Sequence, residues 1–300
     1  MPKSVVIDVS IIIPAHGEEA VIGGVVARVH RVVRSMRRSY EVLVIDDGST
    51  DGTARVARLA GAKVISHPYN MGNGAAVKTG IRNAHGAALI LMDGDGQHSP
   101  EDIPRLLSPL KAYDLVVGAR NKETEASFHR RAANWLYNAL ASYVCGRKIL
   151  DLTSGFRAVR ASVAREFLSV LPNTFSYPTT LTLAVVRSGY SLKYVPIKVL
   201  RLTGRSKVRL LQDGTRFLLI IFKVATLYSP IKVFLPISTG TFLLGVLYGL
   251  FRIVFLGGRY GPTSAMLMTV AGVIFLIGLM SEQITQLRYE RTIPRDHDAG

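Results

Sequence analysis

Two long charge-free apolar runs near the C-terminus constrain this chain more than any other feature. Val233 to Phe251 and Thr263 to Ser281 contain no Asp, Glu, Lys, Arg or His. At about 1.5 Å per residue each spans roughly 28 Å as a helix, close to the ~30 Å hydrocarbon core of a bilayer. Core helices of soluble domains are shorter and keep a polar face, whereas Gly240, Gly245, Gly249, Gly272 and Gly278 suit a helix in lipid. The pattern predicts two spans, about 233–254 and 263–283. The connector Gly257-Gly258-Arg259-Tyr260-Gly261-Pro262 is turn-forming, so they make a hairpin within 231–285.

The flanking charges set the orientation. Arg201, Arg205, Lys207, Arg209, Arg216, Lys223 and Lys232 precede the first span with only Asp213 opposing; Arg288, Arg291 and Arg295 follow the second, all three in the tail 286–300. The positive-inside rule puts both flanks in the cytoplasm, which predicts a multi-pass protein of the plasma (inner) membrane with its N-terminal domain and both termini cytoplasmic. Within 211–230, Arg216 to Tyr228 is apolar with basic residues at 216 and 223, and reads as a juxtamembrane amphipathic segment.

Composition removes other classes. Of 300 residues, 37 are Lys or Arg against 21 Asp or Glu, a net +16, yet 48% are apolar. Disorder requires low hydrophobicity and is excluded. The basic residues lack interleaved aromatics, so nucleic acid is not the expected partner. One cysteine, Cys145, rules out an internal disulfide, and His30, His67, His85 and His129 have no zinc-site spacing.

Residues 1–210 alternate β and α patterns. Short apolar runs at Val9–Ile13, Glu41–Asp46, Lys63–Ser66, Ala88–Asp93 and Asp114–Gly118 read as strands, and Val21, Val25, Val29, Val32 and Val33 follow the first at helical spacing. This is the signature of an α/β domain with a mostly parallel sheet, in which ligands bind beyond the carboxyl ends of the strands. Those positions hold Pro14-Ala15-His16-Gly17-Glu18, Asp46-Asp47-Gly48-Ser49-Thr50-Asp51-Gly52-Thr53 and Asp93-Gly94-Asp95-Gly96-Gln97-His98. Carboxylates at three strand ends repel unless cations or donors lie between them. Asp93, Asp95 and Gln97 suit Mg2+ or Mn2+, held by one or two carboxylates and completed by substrate phosphates. In the second loop the later residues are expected to cap a helix, with Asp46 or Asp47 touching ligand. Gly72-Asn73-Gly74 lacks the third glycine of a dinucleotide fingerprint and reads as a helix start near the ligand, with Asn70 and Lys78 able to face phosphates. No P-loop is present.

Together these motifs resemble family 2 glycosyltransferases of the GT-A (Rossmann-like) fold, and more narrowly the polyisoprenyl-phosphate branch related to dolichol-phosphate mannose synthase. Further carriers of the resemblance are Gly118-Ala119-Arg120, Asp151-Leu152-Thr153-Ser154-Gly155-Phe156-Arg157 and Gly204-Arg205-Ser206-Lys207. The two C-terminal spans look like the bacterial members that charge undecaprenyl phosphate. The resemblance implies an inverting hexosyltransferase that moves a sugar from a nucleotide-diphosphate sugar to an undecaprenyl or dolichyl monophosphate. It implies that Pro14, His16, Glu18, Ile45, Asp46, Asp47, Lys78, Asp93, Gly94, Arg201 and Lys207 bind the nucleotide sugar. Asp93, Asp95 and Gln97 would hold the metal. Arg120, Arg130, Arg131 and Asn134 would face the lipid phosphate, and Asp95, Arg120, Asp151 and Arg205 would carry the chemistry.

Asp151 reads equally as an acceptor-orienting base or as a cap before Thr153-Ser154. The family often has an aromatic and Asn before the Glu; here His16-Gly17 stands there. The Q-x-x-R-W motif of processive synthases is absent. The donors implied are GDP-mannose, UDP-glucose and UDP-N-acetylglucosamine, with a slight lean to a UDP-sugar. Two other readings stand beside this one: a transferase for another membrane lipid acceptor, and a non-enzymatic nucleotide-binding membrane protein. The small-residue hairpin also allows a homo-oligomer among the lipids.

Overall fold

The computed structural model describes residues 7–120, 128–174, 176–199, 222, 226, 229–257 and 259–292, side chains at 128–134, 136 and 288–292 excepted. Arg201, Arg205 and Lys207, the expected division at 210 and most of the segment 211–230 lie outside the described residues. The chain forms two units, Met1–Phe217 and Leu218–Gly300.

The first unit is built on a seven-stranded sheet ordered β3-β2-β1-β4-β6-β5-β7. Its strands are β1 (Val9–Ala15), β2 (Tyr40–Asp46), β3 (Lys63–Ser66), β4 (Ala88–Leu91), β5 (Leu115–Arg120), β6 (Arg157–Arg160) and β7 (Leu192–Ile197). All neighbouring pairs are parallel except those of β6, which runs antiparallel to both β4 and β5. The helices are α1 (Glu19–Ser35), α2 (Thr53–Leu59), α3 (Asn73–Asn83), α4 (Ile103–Leu107), α5 (Phe128–Cys145), α6 (Ala161–Glu166) and α7 (Tyr177–Arg187). β1 is buried along its whole length, as a central strand covered on both faces must be. Helix α1 turns Ile22, Val25, Val26, Val29 and Val33 onto the sheet. Each such side chain contributes ~1.5–3 kcal/mol relative to exposure.

Connections from β1 run one way to β2 and β3, then return to place β4 on the other side of β1. That reversal opens a crevice at the carboxyl ends of β1 and β4, where ligands bind in such sheets. The register puts Ala15 opposite Asp46 and Ile12 opposite Leu91, so the three acidic loops emerge side by side.

The second unit is a helical hairpin, α8 (Pro230–Leu256) and α9 (Pro262–Thr292). Small residues let the helices approach, as in lipid. A Cβ on Gly249 would meet the Tyr260 ring, one on Gly278 would meet Phe234, and Ser238 donates to the Ala271 carbonyl at 2.9 Å. In their most apolar windows only 11% and 17% of residues are buried. A soluble core helix would bury most of its surface, so these faces are made for lipid and the chain is a membrane protein.

Candidate active site

The loop after β1 is knitted to the loop after β2. The Asp47 N–H donates to the Ala15 carbonyl at 2.9 Å, Gly17 N–H to Ser49 Oγ at 3.0 Å and Glu18 N–H to Thr53 Oγ1 at 2.9 Å. His16 Nδ1 lies 2.9 Å from the Asp47 carbonyl oxygen and so donates to it. Pro14 and Ile45 are adjacent in register and buried, closing the floor. Asp46 Oδ1 accepts from Ser49 N–H at 3.2 Å, and Asp51 Oδ1 accepts from Thr53 N–H at 3.0 Å at the start of α2.

Asp47 is buried and heavily engaged. Its Oδ1 accepts from His67 Nδ1 at 2.7 Å and Met71 N–H at 2.9 Å, and its Oδ2 from Gly72 N–H at 2.8 Å. Three of about four acceptor positions on the carboxylate are filled by the chain itself. His67 Nε2 lies 2.9 Å from Thr79 Oγ1, which pins the loop between β3 and α3.

Helix α3 starts at Asn73, as the Gly72-Asn73-Gly74 run predicts. Gly72 sits at φ 101, and a Cβ there would come within 2.3 Å of the Asn173 carbonyl oxygen; on Gly74 it would come within 2.1 Å of that of Pro172. Ala75 N–H donates to the Asn173 carbonyl at 3.1 Å. Carbonyl oxygens of 172–174 therefore cover the helix start, and the glycines serve close packing rather than a phosphate cradle. Asn70 is exposed, and Lys78 is half-buried with its pKa lowered by burial and then by Arg82.

Beyond β4 the chain leans on β1 through Gly94 N–H to the Pro14 carbonyl at 3.2 Å. Asp95 Oδ1 accepts from Gln97 N–H at 3.0 Å. Burial, then the Asp93 charge, raises the Asp95 pKa. His98 stacks on Phe156 with centroids 5.1 Å apart, its Nδ1 3.8 Å from Asp93 Oδ2. Asp93 packs on Gly155, where a Cβ would lie 2.5 Å from Oδ2. Among the described residues, His98 Nδ1, Ser154 Oγ and Tyr177 OH are buried without a hydrogen-bond partner. Burial and then the Asp93 charge raise the Tyr177 pKa.

These observations fit a divalent cation. Asp93 repels the partly buried Asp95, a cost that a cation relieves, and among the described residues no group of three His, Cys, Asp or Glu side chains is placed to hold a metal. Mg2+ is held in that way, by one or two carboxylates with substrate phosphates completing the shell.

At the other side of the crevice, Arg120 and Asp151 form an ion pair. Arg120 Nε donates to Oδ2 at 2.9 Å, Nη2 to Oδ1 at 2.9 Å and the Arg120 N–H to Oδ2 at 3.1 Å. Oδ1 also accepts from Thr153 N–H and Ser154 N–H, both at 3.1 Å. Of the two readings of Asp151, this geometry is that of the cap and anchor. Burial raises its pKa, but the Arg120 bonds and charge outweigh burial and leave it below the ordinary carboxylate range, the wrong direction for a base. Arg130, Arg131 and Asn134 lie in the first half of α5.

Sequence reading gave no role to two residues that hold this region. Arg157 is fully buried and donates to the Ser154 carbonyl, to the Pro178 carbonyl at 2.9 Å and to Thr182 Oγ1 at 3.2 Å. Asn138 donates to the Leu150 carbonyl at 2.9 Å and accepts from Leu152 N–H at 3.2 Å, bracketing Asp151. The only signal for Arg157 was its place in the Ser154-Gly155-Phe156-Arg157 run; Asn138 had none.

Comparison with known proteins agrees with this geometry. The profile of glycosyl transferase family 2 matches residues 10–168, and that of the GtrB C-terminal hairpin matches 229–287. Dodecaprenyl-phosphate galacturonate synthase of Rhizobium johnstonii is 32% identical over 168 residues, 53% of this chain and 50% of that one, so the match spans half of that relative. Undecaprenyl-phosphate 4-deoxy-4-formamido-L-arabinose transferase of Proteus mirabilis is 26% identical over 301 residues, 93% of this chain and 89% of that one. Glucosyl-3-phosphoglycerate synthase from Mycobacterium tuberculosis, solved with Mn2+, uridine-diphosphate and phosphoglyceric acid, shares the fold at TM-score 0.60 and 20% identity, over 73% of this chain and 78% of that one. With a family profile covering more than half of its length, the chain belongs to glycosyl transferase family 2.

Proposed function

We propose that this chain is a membrane-bound inverting hexosyltransferase that moves a sugar from a nucleotide-diphosphate sugar to a polyprenyl monophosphate. The observation that carries the reading is the joining of a family 2 domain to a GtrB-type hairpin, with relatives named for dodecaprenyl and undecaprenyl phosphate. The donor is UDP-glucose, UDP-N-acetylglucosamine or GDP-mannose.

A phosphate monoester is already ionised near neutral pH, so the acceptor needs no strong base. That suits an Asp151 tied into an ion pair. An acceptor oxygen forms the new bond to the anomeric carbon while the bond to the nucleoside diphosphate breaks on the opposite face. The loops after β1 and β2, with Pro14, His16, Glu18, Ile45, Asp46 and Asp47, shape the nucleoside side. Asp93, Asp95 and Gln97 would hold Mg2+ or Mn2+, which supplies positive charge to the leaving diphosphate. Arg201, Arg205 and Lys207 would add to that charge, and Arg130, Arg131 and Asn134 would meet the acceptor phosphate. Positioning two anions against each other is the main task.

The test is full-length protein in lipid nanodiscs with polyprenyl phosphate and a panel of radiolabelled nucleotide sugars, with label in the organic phase as readout. Transfer from one donor supports the proposal. Failure of every donor with Mg2+ and with Mn2+ overturns it.

A further inference from the structure

Two buried side chains near Asp93 carry donors with nothing to receive their protons. His98 is 7% exposed, and among the described residues its Nδ1 has no hydrogen-bond partner. That nitrogen faces Asp93 Oδ2 at 3.8 Å, too far for a hydrogen bond. A carboxylate across the gap places the imidazole proton on Nδ1. Tyr177 is 1% exposed, and its hydroxyl is likewise without a partner among the described residues. Burial, and then the Asp93 charge, keep that hydroxyl protonated.

Both rings are held in place. The His98 imidazole stacks on the fully buried Phe156 with centroids 5.1 Å apart, and the His98 backbone bridges to Val199. Tyr177 opens α7, where the next carbonyl, that of Pro178, accepts from Arg157 Nη1 at 2.9 Å. The same guanidinium holds the Ser154 carbonyl, and Gly155 beside it packs against Asp93. Arg157 thus ties the start of α7 and the chain entering β6 into one frame around the Asp93 carboxylate.

A buried donor without a partner costs ~1–3 kcal/mol, and phenylalanine at 177 would fill nearly the same space without that cost. A bond to a carboxylate is roughly twice as strong as a neutral one and closes at about 2.7–2.9 Å. For His98 this asks Asp93 Oδ2 to move by about 1 Å. The Asp93 side chain is 30% exposed, so it is not locked where it stands. Carboxylates that ligate a metal are themselves held by donors outside the coordination shell, which fix their orientation.

We propose that His98 and Tyr177 are positioning residues for Asp93, donating from Nδ1–H and from the phenolic O–H to its carboxylate and so fixing it as a ligand for the divalent cation. The proposal rests on the reading of Asp93 as a metal ligand.

Full-length protein in lipid nanodiscs would be titrated with Mn2+ in the presence of UDP and, separately, of GDP, with the free-ion electron paramagnetic resonance signal as readout. Tyr177→Phe and His98→Phe should each weaken Mn2+ binding by about 10- to 100-fold. His98→Asn, whose amide nitrogen takes the place of Nδ1, should keep most of the affinity. Without metal, the unfolding midpoint of Tyr177→Phe, read from reaction of buried Cys145 with a thiol dye, should not fall, because the hydroxyl removed bonds nothing there. Mn2+ binding as tight in both phenylalanine variants as in the unaltered protein overturns the proposal. A loss of affinity in Tyr177→Phe that comes with a lowered midpoint also overturns it, since the hydroxyl would then serve packing. If the unaltered protein takes up no Mn2+ with either nucleotide, the metal reading of Asp93 fails and this proposal with it; unchanged variants of a protein that does bind Mn2+ remove the positioning role alone.

Discussion

Arg120 holds Asp151 by both carboxylate oxygens, Nε to Oδ2 and Nη2 to Oδ1 at 2.9 Å each, at the point where β5 ends. Removing one partner of a buried pair costs more than removing both, because the survivor keeps its desolvation penalty. Arg120→Ala should destabilise the transferase domain by ~3 kcal/mol, and Arg120→Met with Asp151→Leu should recover most of that. Cys145, buried and the only cysteine, serves as the probe: its reaction with a thiol dye on heating follows unfolding of this domain. An unchanged midpoint for Arg120→Ala would show that the pair contributes nothing to the fold.

The same pair sets an acid limit. Burial raises the Asp151 pKa and the Arg120 interactions more than reverse it, so the folded value lies below the unfolded one. Stability from such a group is present above the unfolded value, ~3.9, and is lost as pH falls through the folded value. The difference in unfolding midpoint between the unaltered protein and Asp151→Asn should therefore shrink below about pH 4. A difference that stays constant from neutral pH into that range would contradict the assignment.

Gly155 gives a sharper test of Asp93. A Cβ there would stand 2.5 Å from Asp93 Oδ2, so Gly155→Ala must push the carboxylate aside. Misplacement near 1 Å at a reacting site costs about 100-fold, so transfer should fall on that order while the Cys145 midpoint moves little. Gly24→Ala is the control: it lies on α1 with open space around it and should raise stability by up to about 1 kcal/mol without affecting transfer. Full activity in Gly155→Ala would mean that the Asp93 position is unimportant.

What the sequence disclosed follows from which forces are local. Val9–Ile13 reads as a strand because its side chains alone favour a buried pleat, and Lys63–Ser66 because Val64 and Ile65 favour extended backbone even at a half-buried sheet edge. The loops with Asp46 and Asp93 were found because parallel strands present their carboxyl ends together. Strand β6 was not found: it is four residues with an Arg at each end, and it exists because β4 and β5 supply partners on both sides. Arg157 looks like a surface cation, yet carbonyl oxygens brought together by the fold bury it completely. The closed start of α3 was equally hidden, since its cover comes from residues 172–174, remote in sequence.

Asp95 and Asp93 repel each other in a partly buried setting, and a divalent cation relieves that repulsion. Asp95→Asn should abolish transfer and weaken Mn2+ binding, measured as the free-ion electron paramagnetic resonance signal in the presence of nucleoside diphosphate, with the Cys145 midpoint unchanged. Unaltered Mn2+ binding and transfer under chelator-buffered metal would remove Asp95 from the metal site.

The charge distribution around α8 and α9 makes the membrane orientation testable with one residue. Basic residues crowd both flanks, from Arg201 to Lys232 and from Arg288 to Arg295, while the connector carries Arg259 alone and Arg252 lies a turn inside α8. Moving the flanks across the bilayer would carry many cations through hydrocarbon, whereas moving the connector carries few, so the positive-inside rule predicts that the connector is the end that crosses. Gly258→Cys should therefore be labelled by an impermeant maleimide from outside intact cells, and Gly300→Cys only after the cells are opened. Buried Cys145 stays silent in both and needs no removal. Labelling of Gly258→Cys only in opened cells would place the connector in the cytoplasm, and with it the wrong side of the membrane would face the nucleotide sugar.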